Sequence, residues 1–482
     1  MPSLVKRLRS LPPGAKASAA FFLSSVVTTG IAYLTTPIYT RLLTTEEYGQ
    51  TAVFLTWLQV FGIAAMFCLA NGVFNNGMLD HPEERDQYSF SLLMLSNLIT
   101  LAFAAAFAAL YPLFGRALGL SLPLLLLMGA VFLFQPAYSF WVARQRYEYK
   151  YKHTVLWAIL AAILSPLAAI LCIRRFPDHR LYARLFGAEV PLILMYIGFY
   201  VYLGKKSRFR VDRRFWKEAF TFNLPLIPHY LSTYLLSNSD KIMISRLVSD
   251  SATAFYNVAY TVASVGLIVG SAANASLLPF TYEKCRKRDY AAINRVTLPI
   301  LTLYALVSLA VILFAPEVVK LMSTSDYHEA IAVIPPIVGG VFFQVQYFIY
   351  ANIVYYYKKP RYVMVASVTA MLLNLVLNYV FIRRYGYAAA AYTTLLCYMV
   401  QAGIDCLAMR KAAKARVYDM RFIGLLSLGV VAAALTGGRL YGHALIRYAL
   451  VGILALACLL QRRRIARVLG MLRGETKEEK TE

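Results

Sequence analysis

The sequence predicts an all-α membrane protein with about fourteen transmembrane helices, built as two parallel six-helix bundles plus two C-terminal helices. Composition is the first reason, because 59% of the 482 residues are hydrophobic and only 15% are charged. An average soluble domain is about a quarter charged. The other two reasons are the recurrence of long apolar stretches and a weak internal repeat that relates the two bundles by pseudo-two-fold symmetry.

The apolar stretches are each about 20 residues long, which is enough for a helix to cross a hydrocarbon core of about 30 Å. They recur along nearly the whole chain, and only the segment after Gln461 is plainly polar. The predicted spans lie near residues 17–39, 49–70, 88–112, 120–142, 154–173, 183–203, 219–239, 252–278, 295–315, 330–356, 363–382, 389–409, 422–441 and 446–460.

The formal net charge of +25 suggests a nucleic-acid-binding protein, but its distribution favours a membrane protein. With the N-terminus placed inside, 36 of the 49 Lys and Arg residues fall on the inner side and 13 on the outer side. The basic segment 205–217 and the basic start of the tail both lie inside. The positive-inside rule therefore predicts that both termini are cytoplasmic, and nucleic-acid binding is not required.

The sequence carries no recognisable catalytic or metal-binding motif. Its six cysteines form no CxxC pair and have no His partners at metal-ligand spacing. Walker A, GxSxG, HExxH and DFG-like elements are also missing from the sequence. We therefore expect no cofactor, no metal and no enzymatic activity.

An internal repeat relates the two halves of the chain. Residues 41–43 match residues 246–248 at an offset of 205, and residues 173–176 match residues 382–385 at an offset of 209. Such parallel repeats are typical of transporters that bind substrate at the repeat interface and work by alternating access. The predicted parts are a six-helix half (1–204), a basic cytoplasmic linker (205–218), a second six-helix half (219–410), two additional helices (411–461) and a polar cytoplasmic tail (462–482).

Span seven is the richest in polar residues. His229 and Asp240 lie on one helix face with two hydroxyl residues between them, and Pro225 should loosen the helix just before that face. Inserting a helix whose central carboxylate faces lipid costs about 2.5–3.5 kcal/mol of free energy on insertion scales. Asp240 is therefore expected to face a wet cavity, to pair with Lys241 or Arg246, or to lie at the membrane interface as a helix-end charge.

Other polar residues within the predicted spans have two interpretations each. Asn257 and Asn274 in span eight suit sugar hydroxyls, and they suit interhelical hydrogen bonds equally well. Glu189 in span six and Asp405 in span twelve are the other intramembrane acids. Either acid serves as a proton relay or pairs with a neighbouring helix.

Two motifs resemble a known family. The run TPIYTRLLTTEEYG (residues 36–49) is similar to the span-one exit of Wzx-type polysaccharide flippases in the MOP exporter superfamily. The segments SDKI (239–242) and AFYNVA (254–259) resemble the corresponding motif of the second half, with Phe255 where that family usually has glycine. The resemblance, including the number of spans, covers nearly the whole chain.

This resemblance implies a flippase that moves undecaprenyl-diphosphate-linked oligosaccharide repeat units across the bacterial inner membrane, for O-antigen of lipopolysaccharide, capsule or exopolysaccharide. The diphosphate and sugar would be held by Arg41, Lys241, Arg246, Asn257 and Asn274. The candidates for ion coupling are His229, Asp240 and Asp405. Attraction of the head group at the cytoplasmic mouth is assigned to Arg144, Arg146 and Lys358, which are alternatively ordinary positive-inside charges.

The expected partners are the polyprenyl-diphosphate-linked oligosaccharide, membrane lipid, a polysaccharide polymerase and chain-length proteins. One alternative is a MATE-like cation-coupled exporter of small molecules, which would require acids in an apolar pocket. Another is a membrane glycosyltransferase or polymerase that acts on the same lipid carrier. That class would require a large loop with catalytic residues, and the loops between the predicted spans are short.

Overall fold

The computed structural model describes residues 13–460, and every regular element in this range is a helix. The first part of the chain forms α1 (Pro13–Leu42), α2 (Thr45–Ala65), α3 (Val73–Asp80), α4 (Arg85–Leu118), α5 (Leu122–Tyr147), α6 (Tyr151–Arg175), α7 (Arg180–Lys206) and α8 (Arg214–Asn223). The later part forms α9 (Ile227–Leu247), α10 (Asp250–Arg286), α11 (Tyr290–Leu313), α12 (Ala315–Met322), α13 (Ile334–Tyr356), α14 (Pro360–Tyr385), α15 (Ala388–Ala413), α16 (Met420–Thr436) and α17 (Ala444–Leu460).

Ten helical segments between residues 13 and 460 are long and apolar enough to cross a membrane. The predicted spans two, seven, twelve and fourteen also fall on helices, but these helices are not among the ten. The count of fourteen stays a prediction. The ten segments are Ala20–Leu42, Arg85–Pro112, Leu122–Tyr147, Tyr151–Arg175, Pro177–Lys206, Asp250–Arg286, Tyr290–Leu313, Ser325–Tyr356, Pro360–Tyr385 and Met420–Gly442.

The turn between α1 and α2 is fixed by a capping box. The Thr44 hydroxyl accepts a hydrogen bond from the Glu47 backbone N–H at 3.1 Å, and the Glu47 carboxylate accepts one from the Thr44 N–H at 2.8 Å. This reciprocal pair satisfies two backbone donors that a helix start otherwise leaves free. Both residues belong to the TPIYTRLLTTEEYG motif.

Predicted span seven is interrupted, as the proline there suggested. Helix α8 ends at Asn223, a 3-10 turn follows at Leu224–Leu226, and α9 begins at Ile227. Pro225 lies in this turn, where its missing N–H cannot continue an α-helical ladder. The buried Asn223 side chain donates to the Phe67 carbonyl at 2.9 Å and accepts from the Val73 N–H at 3.1 Å. It therefore ties α8 to the irregular segment between α2 and α3.

The chain divides into two compact units, residues 1–231 and 232–482, with the boundary inside α9. The first unit has cores around fully buried residues such as Phe54, Phe74 and Tyr88. The second has a larger core, which includes the fully buried Phe342 and Tyr350. The four-part domain layout expected from the sequence stays a prediction.

Candidate functional site

The Asp240 carboxylate lies in the interior of the second unit, with 0% of the residue exposed. Asn378 donates to its Oδ1 at 2.6 Å, and the Thr394 hydroxyl donates to its Oδ2 at 2.8 Å. The Tyr256 hydroxyl donates to the same Oδ2. Helices α10, α14 and α15 each supply one donor to this residue of α9, so the carboxylate is surrounded by neutral hydrogen-bond donors.

The network around Asp240 continues through buried amides and hydroxyls. Asn374, one turn before Asn378, accepts from the Asn378 amide at 3.0 Å and from the Ser239 hydroxyl at 3.2 Å. Its own amide donates to Thr394 at 2.9 Å, and Thr393 donates to the Asn378 carbonyl oxygen. These residues are all buried. Because each hydrogen bond joins two helices or two turns, the network links α9, α14 and α15 through their side chains.

The three predicted diphosphate-binding cations lie at helix ends or near them. Arg41, in the last turn of α1, is exposed and donates to the Pro37 carbonyl at 2.7 Å. Lys241 is half-buried beside Asp240; its ammonium lies 5.1 Å from the Tyr260 ring centroid and donates to Asn238 at 3.2 Å. Arg246 is exposed in the last turn of α9. Arg41 belongs to the first unit and the other two to the second.

The predicted sugar-binding amides both lie on α10. The Asn274 side-chain oxygen accepts a hydrogen bond from Asn352 of α13 at 2.7 Å, which is the interhelical role that the sequence left open. Asn257 is half-buried one turn before Thr261, whose hydroxyl donates to the Asn257 carbonyl at 2.8 Å. His229 is half-buried near the start of α9, with its ring centroid 6.0 Å from that of Tyr230.

Asp405 is the second fully buried aspartate of this unit, with 0% exposure. It lies on α15, one turn after the buried Gln401. Neither of its carboxylate oxygens has a hydrogen-bond partner among residues 13–460. The described residues therefore do not pair Asp405 with a neighbouring helix, which was one of the two interpretations of the sequence.

The residues predicted for the cytoplasmic mouth have different environments. Arg144 is paired with Asp86 and donates to Glu148 at 2.9 Å, so two acids neutralise its guanidinium. Burial alone would raise the pKa of Glu148, but hydrogen bonds from Lys150 and Arg144 outweigh it and lower that pKa. The other two residues predicted for the cytoplasmic mouth, Arg146 and Lys358, are exposed to solvent. The Arg146 guanidinium lies 5.5 Å from a phenylalanine ring of α1, and Lys358 is exposed in the turn before α14.

Arg144 also lines a groove of about 870 Å³ in the first unit, formed by α5, α6 and α7. Basic side chains, including His153 and Lys206, line it together with aromatic and aliphatic side chains such as Trp157 and Leu194. The groove is therefore amphipathic. No sequence pattern predicted this groove, although the four-residue spacing of His153 and Trp157 places both on one helix face.

The fold is that of membrane transporters of the MOP superfamily. The structure is similar to the lipid II flippase MurJ in an inward closed conformation, with a TM-score of 0.62 and 15% identity over 93% of this chain and 99% of that chain. It is also similar to an inward-facing multidrug resistance MATE family transporter, with a TM-score of 0.58 and 13% identity over 82% and 95% of the two chains. A MOP superfamily transporter from Pyrococcus furiosus is similar with a TM-score of 0.55 and 16% identity, over 85% of this chain and 98% of that chain.

The family model for polysaccharide biosynthesis proteins matches residues 15–284, more than half of the chain, and the protein belongs to that family. The MatE family model matches residues 225–380. Comparison with curated proteins finds no significant match. The predicted resemblance to MOP-superfamily polysaccharide flippases is therefore confirmed, and the protein is a multi-pass membrane transporter whose relatives are flippases or transporters rather than enzymes.

Proposed function

We propose that this protein translocates undecaprenyl-diphosphate-linked oligosaccharide repeat units across the bacterial inner membrane by alternating access, for synthesis of O-antigen, capsule or exopolysaccharide. The family match over residues 15–284 carries the proposal, because it ties the chain to polysaccharide biosynthesis. The similarity in fold to a flippase of lipid II supports a lipid-borne substrate. A polysaccharide polymerase and chain-length proteins are its proposed partners.

The proposed topology has fourteen spans with both termini in the cytoplasm. Two parallel six-helix bundles, residues 1–204 and 219–410, flank the basic linker 205–218, and two further helices precede the cytoplasmic tail. The excess of Lys and Arg on one side supports this orientation. Four of these spans fall on helices that are shorter or more polar than the ten clear candidates, which suits helices that line a polar path.

The substrate combines a charged diphosphate with a long apolar chain, and the groove between α5, α6 and α7 matches that combination of chemistry. Lys206 and His153 are exposed at the groove, whereas the charge of Arg144 is already neutralised by acids. Of the three residues predicted for the cytoplasmic mouth, Arg146 and Lys358 form the positively charged approach in this proposal, whereas Arg144, held by its two acid partners, lines the groove. Arg41, Lys241 and Arg246 bind the diphosphate, since arginine contacts phosphate oxygens in a bidentate manner and lysine as a point charge.

The remaining predicted residues serve the sugar and the ion gradient. Asn257 and Asn274 on α10 offer amides to sugar hydroxyls. To bind a sugar, Asn274 gives up the hydrogen bond that it accepts from Asn352. His229, Asp240 and Asp405 are the candidates for ion coupling. Asp240 suits this role because three other helices donate to it. A change in its charge therefore alters contacts to α10, α14 and α15 together.

The test is reconstitution of the purified protein in vesicles that carry a lipid-linked oligosaccharide. We expect transfer of the oligosaccharide between leaflets without ATP. Asp240→Asn should lower the rate at least about tenfold, since loss of a charged hydrogen-bond acceptor costs about 1.5–3 kcal/mol. Asp178→Asn, at an exposed loop aspartate, is the matched control and should transfer normally. Absence of transfer by the wild-type protein would refute the proposal.

A MATE-like exporter is the second candidate function, favoured by the MatE match over residues 225–380. This alternative predicts cation-coupled efflux of small drug molecules from the same vesicles and no movement of lipid-linked sugar. Export measured on both substrates separates the two candidates directly.

A further inference from the structure

The second unit buries two aspartates whose surroundings are opposite. Asp240 accepts hydrogen bonds from an amide and two hydroxyl groups on three other helices. Asp405 has the same zero exposure, yet neither of its oxygens has a hydrogen-bond partner in the described part of the chain. Both were candidates for ion coupling on sequence grounds alone, and this difference in partners separates them.

The physical consequence follows from how carboxylates behave when water is removed. An ionised carboxylate accepts hydrogen bonds at both oxygens, and such charge-assisted bonds are about twice as strong as neutral ones. Asp240 receives donors at both oxygens, so its anion is stabilised in place. An isolated buried carboxylate with no donor has no such compensation, and burial favours its neutral, protonated form.

The groups that surround Asp405 do not supply a charge partner. From α13, the Tyr347 hydroxyl is the titratable group that interacts with it. On its own helix, Cys406 is adjacent, and Arg410 acts on Cys406 and on Tyr350 of α13. Lys411, six residues after Asp405 on the same helix, places its ammonium 5.4 Å from the centroid of the Tyr362 ring of α14. No ion pair within residues 13–460 includes Asp405.

The same surroundings argue against a metal cation at Asp405. A hard cation needs several oxygen ligands around it. Within residues 13–460, neither oxygen of Asp405 has a hydrogen-bond partner, and no cluster of three metal-binding side chains occurs in that range. A proton needs only one carboxylate oxygen. The chemistry of the site therefore selects a proton as its ligand.

We propose that Asp405 is a proton-binding residue and is protonated in this conformation, whereas Asp240 is ionised in it. This proposal rests on the proposed function in that proton movement through Asp405 would drive transport. When water reaches the Asp405 carboxylic acid in another conformation, its O–H bond breaks, the proton passes to water, and a hydrated carboxylate remains. Uptake of a proton from water on the opposite side reverses the step.

Infrared spectroscopy of the purified protein in lipid at neutral pH tests the assignment without any transport assay. A protonated carboxyl group gives a C=O stretch that an ionised carboxylate lacks. We expect this band to weaken in Asp405→Asn and to persist, slightly displaced, in Asp405→Glu. Asp240→Asn and the exposed Asp178→Asn should leave the band unchanged. A band that is unaffected in Asp405→Asn, or lost in Asp240→Asn, would overturn the proposal.

Transport across an imposed pH gradient gives the second readout. The wild-type rate should respond to the gradient at least about tenfold more strongly than that of Asp405→Asn, which should still exchange substrate when no gradient is applied. An undiminished response in Asp405→Asn would contradict proton coupling at this residue. If the wild-type protein moves no lipid-linked sugar, the proposed function fails, and the infrared result still decides the protonation of Asp405.

Discussion

The ion pair between Glu317 of α12 and Arg447 of α17 offers a sharp test of what holds the C-terminal helix in place. Arg447 is 5% exposed and donates to both Glu317 oxygens, each at 2.8 Å, and to the Leu313 carbonyl at 2.7 Å. The Tyr448 hydroxyl adds a bond to Glu317 at 2.9 Å. The perturbation we choose is Glu317→Ala, which removes the acceptor and leaves the buried guanidinium with one backbone partner.

The expected loss in the free energy of unfolding for Glu317→Ala lies between two limits. Removing one partner of a fully buried pair costs about 3–5 kcal/mol, whereas exposed pairs contribute about 0–1 kcal/mol. Because the Glu317 side chain is 35% exposed, solvent screens part of the interaction, and we expect a loss of about 2–3 kcal/mol for Glu317→Ala. Replacing both residues, as Glu317→Leu with Arg447→Met, should recover most of this loss, since no unpaired charge is then buried.

Thermal unfolding in mild detergent, together with hydrogen exchange of α17, measures the effect. We expect the amides of α17 to lose protection before those of the rest of the chain. Hydrogen bonds from Arg447 hold the pKa of Glu317 below its usual value of about 4.3. The pair therefore stabilises the protein above that pH, and its contribution is lost as pH falls through the lowered value. A loss below about 0.5 kcal/mol for Glu317→Ala, or no rescue in the double variant, would refute the reasoning.

Two further changes test packing in the first unit. A Cβ on Gly187 of α7 would lie 2.8 Å from the Ala169 backbone, so Gly187→Ala should lower stability by about 1–3 kcal/mol in a detergent melt. Gly198→Ala, on the same helix with open space around it, is the control and should be neutral or stabilising; equal losses at both sites would contradict the argument. Asn223→Ala removes both ties to the segment between α2 and α3 and should cost about 1–3 kcal/mol, visible as faster proteolysis near Phe67. Unchanged proteolysis in that variant would show that the segment is held by other contacts.

The sequence predicted the helices well because hydropathy and helix-breaking residues are local properties. All fourteen predicted spans fall on helices, and Pro225 lies in the turn that interrupts span seven. The count of membrane crossings was not settled in this way, because α9 and α15 carry enough polar residues to weaken the hydropathy signal that marks a span.

The partners of the buried charges were beyond sequence reasoning. Asn378 and Thr394 lie 138 and 154 residues from Asp240, and no periodicity within one helix states which helix will pack against it. The sequence offered Lys241 or Arg246 as a partner, and the side chains of adjacent residues such as Asp240 and Lys241 point to different faces of a helix. The contrast between Asp240 and Asp405 depends wholly on contacts between residues that are distant in sequence. The sequence alone therefore left both residues as candidates for ion coupling.

The capping box between α1 and α2 bears on where the sugar specificity of the proposed function would be encoded. In the Thr44–Glu47 capping box each side chain accepts a hydrogen bond from the backbone N–H of the other residue, which completes the start of α2. The TTEE part of the family-like motif (residues 36–49) is therefore a folding signal for α2. Under the proposed function, substitutions that switch sugar specificity should be sought among side chains that line grooves, and the TTEE turn should be left intact in chimeras.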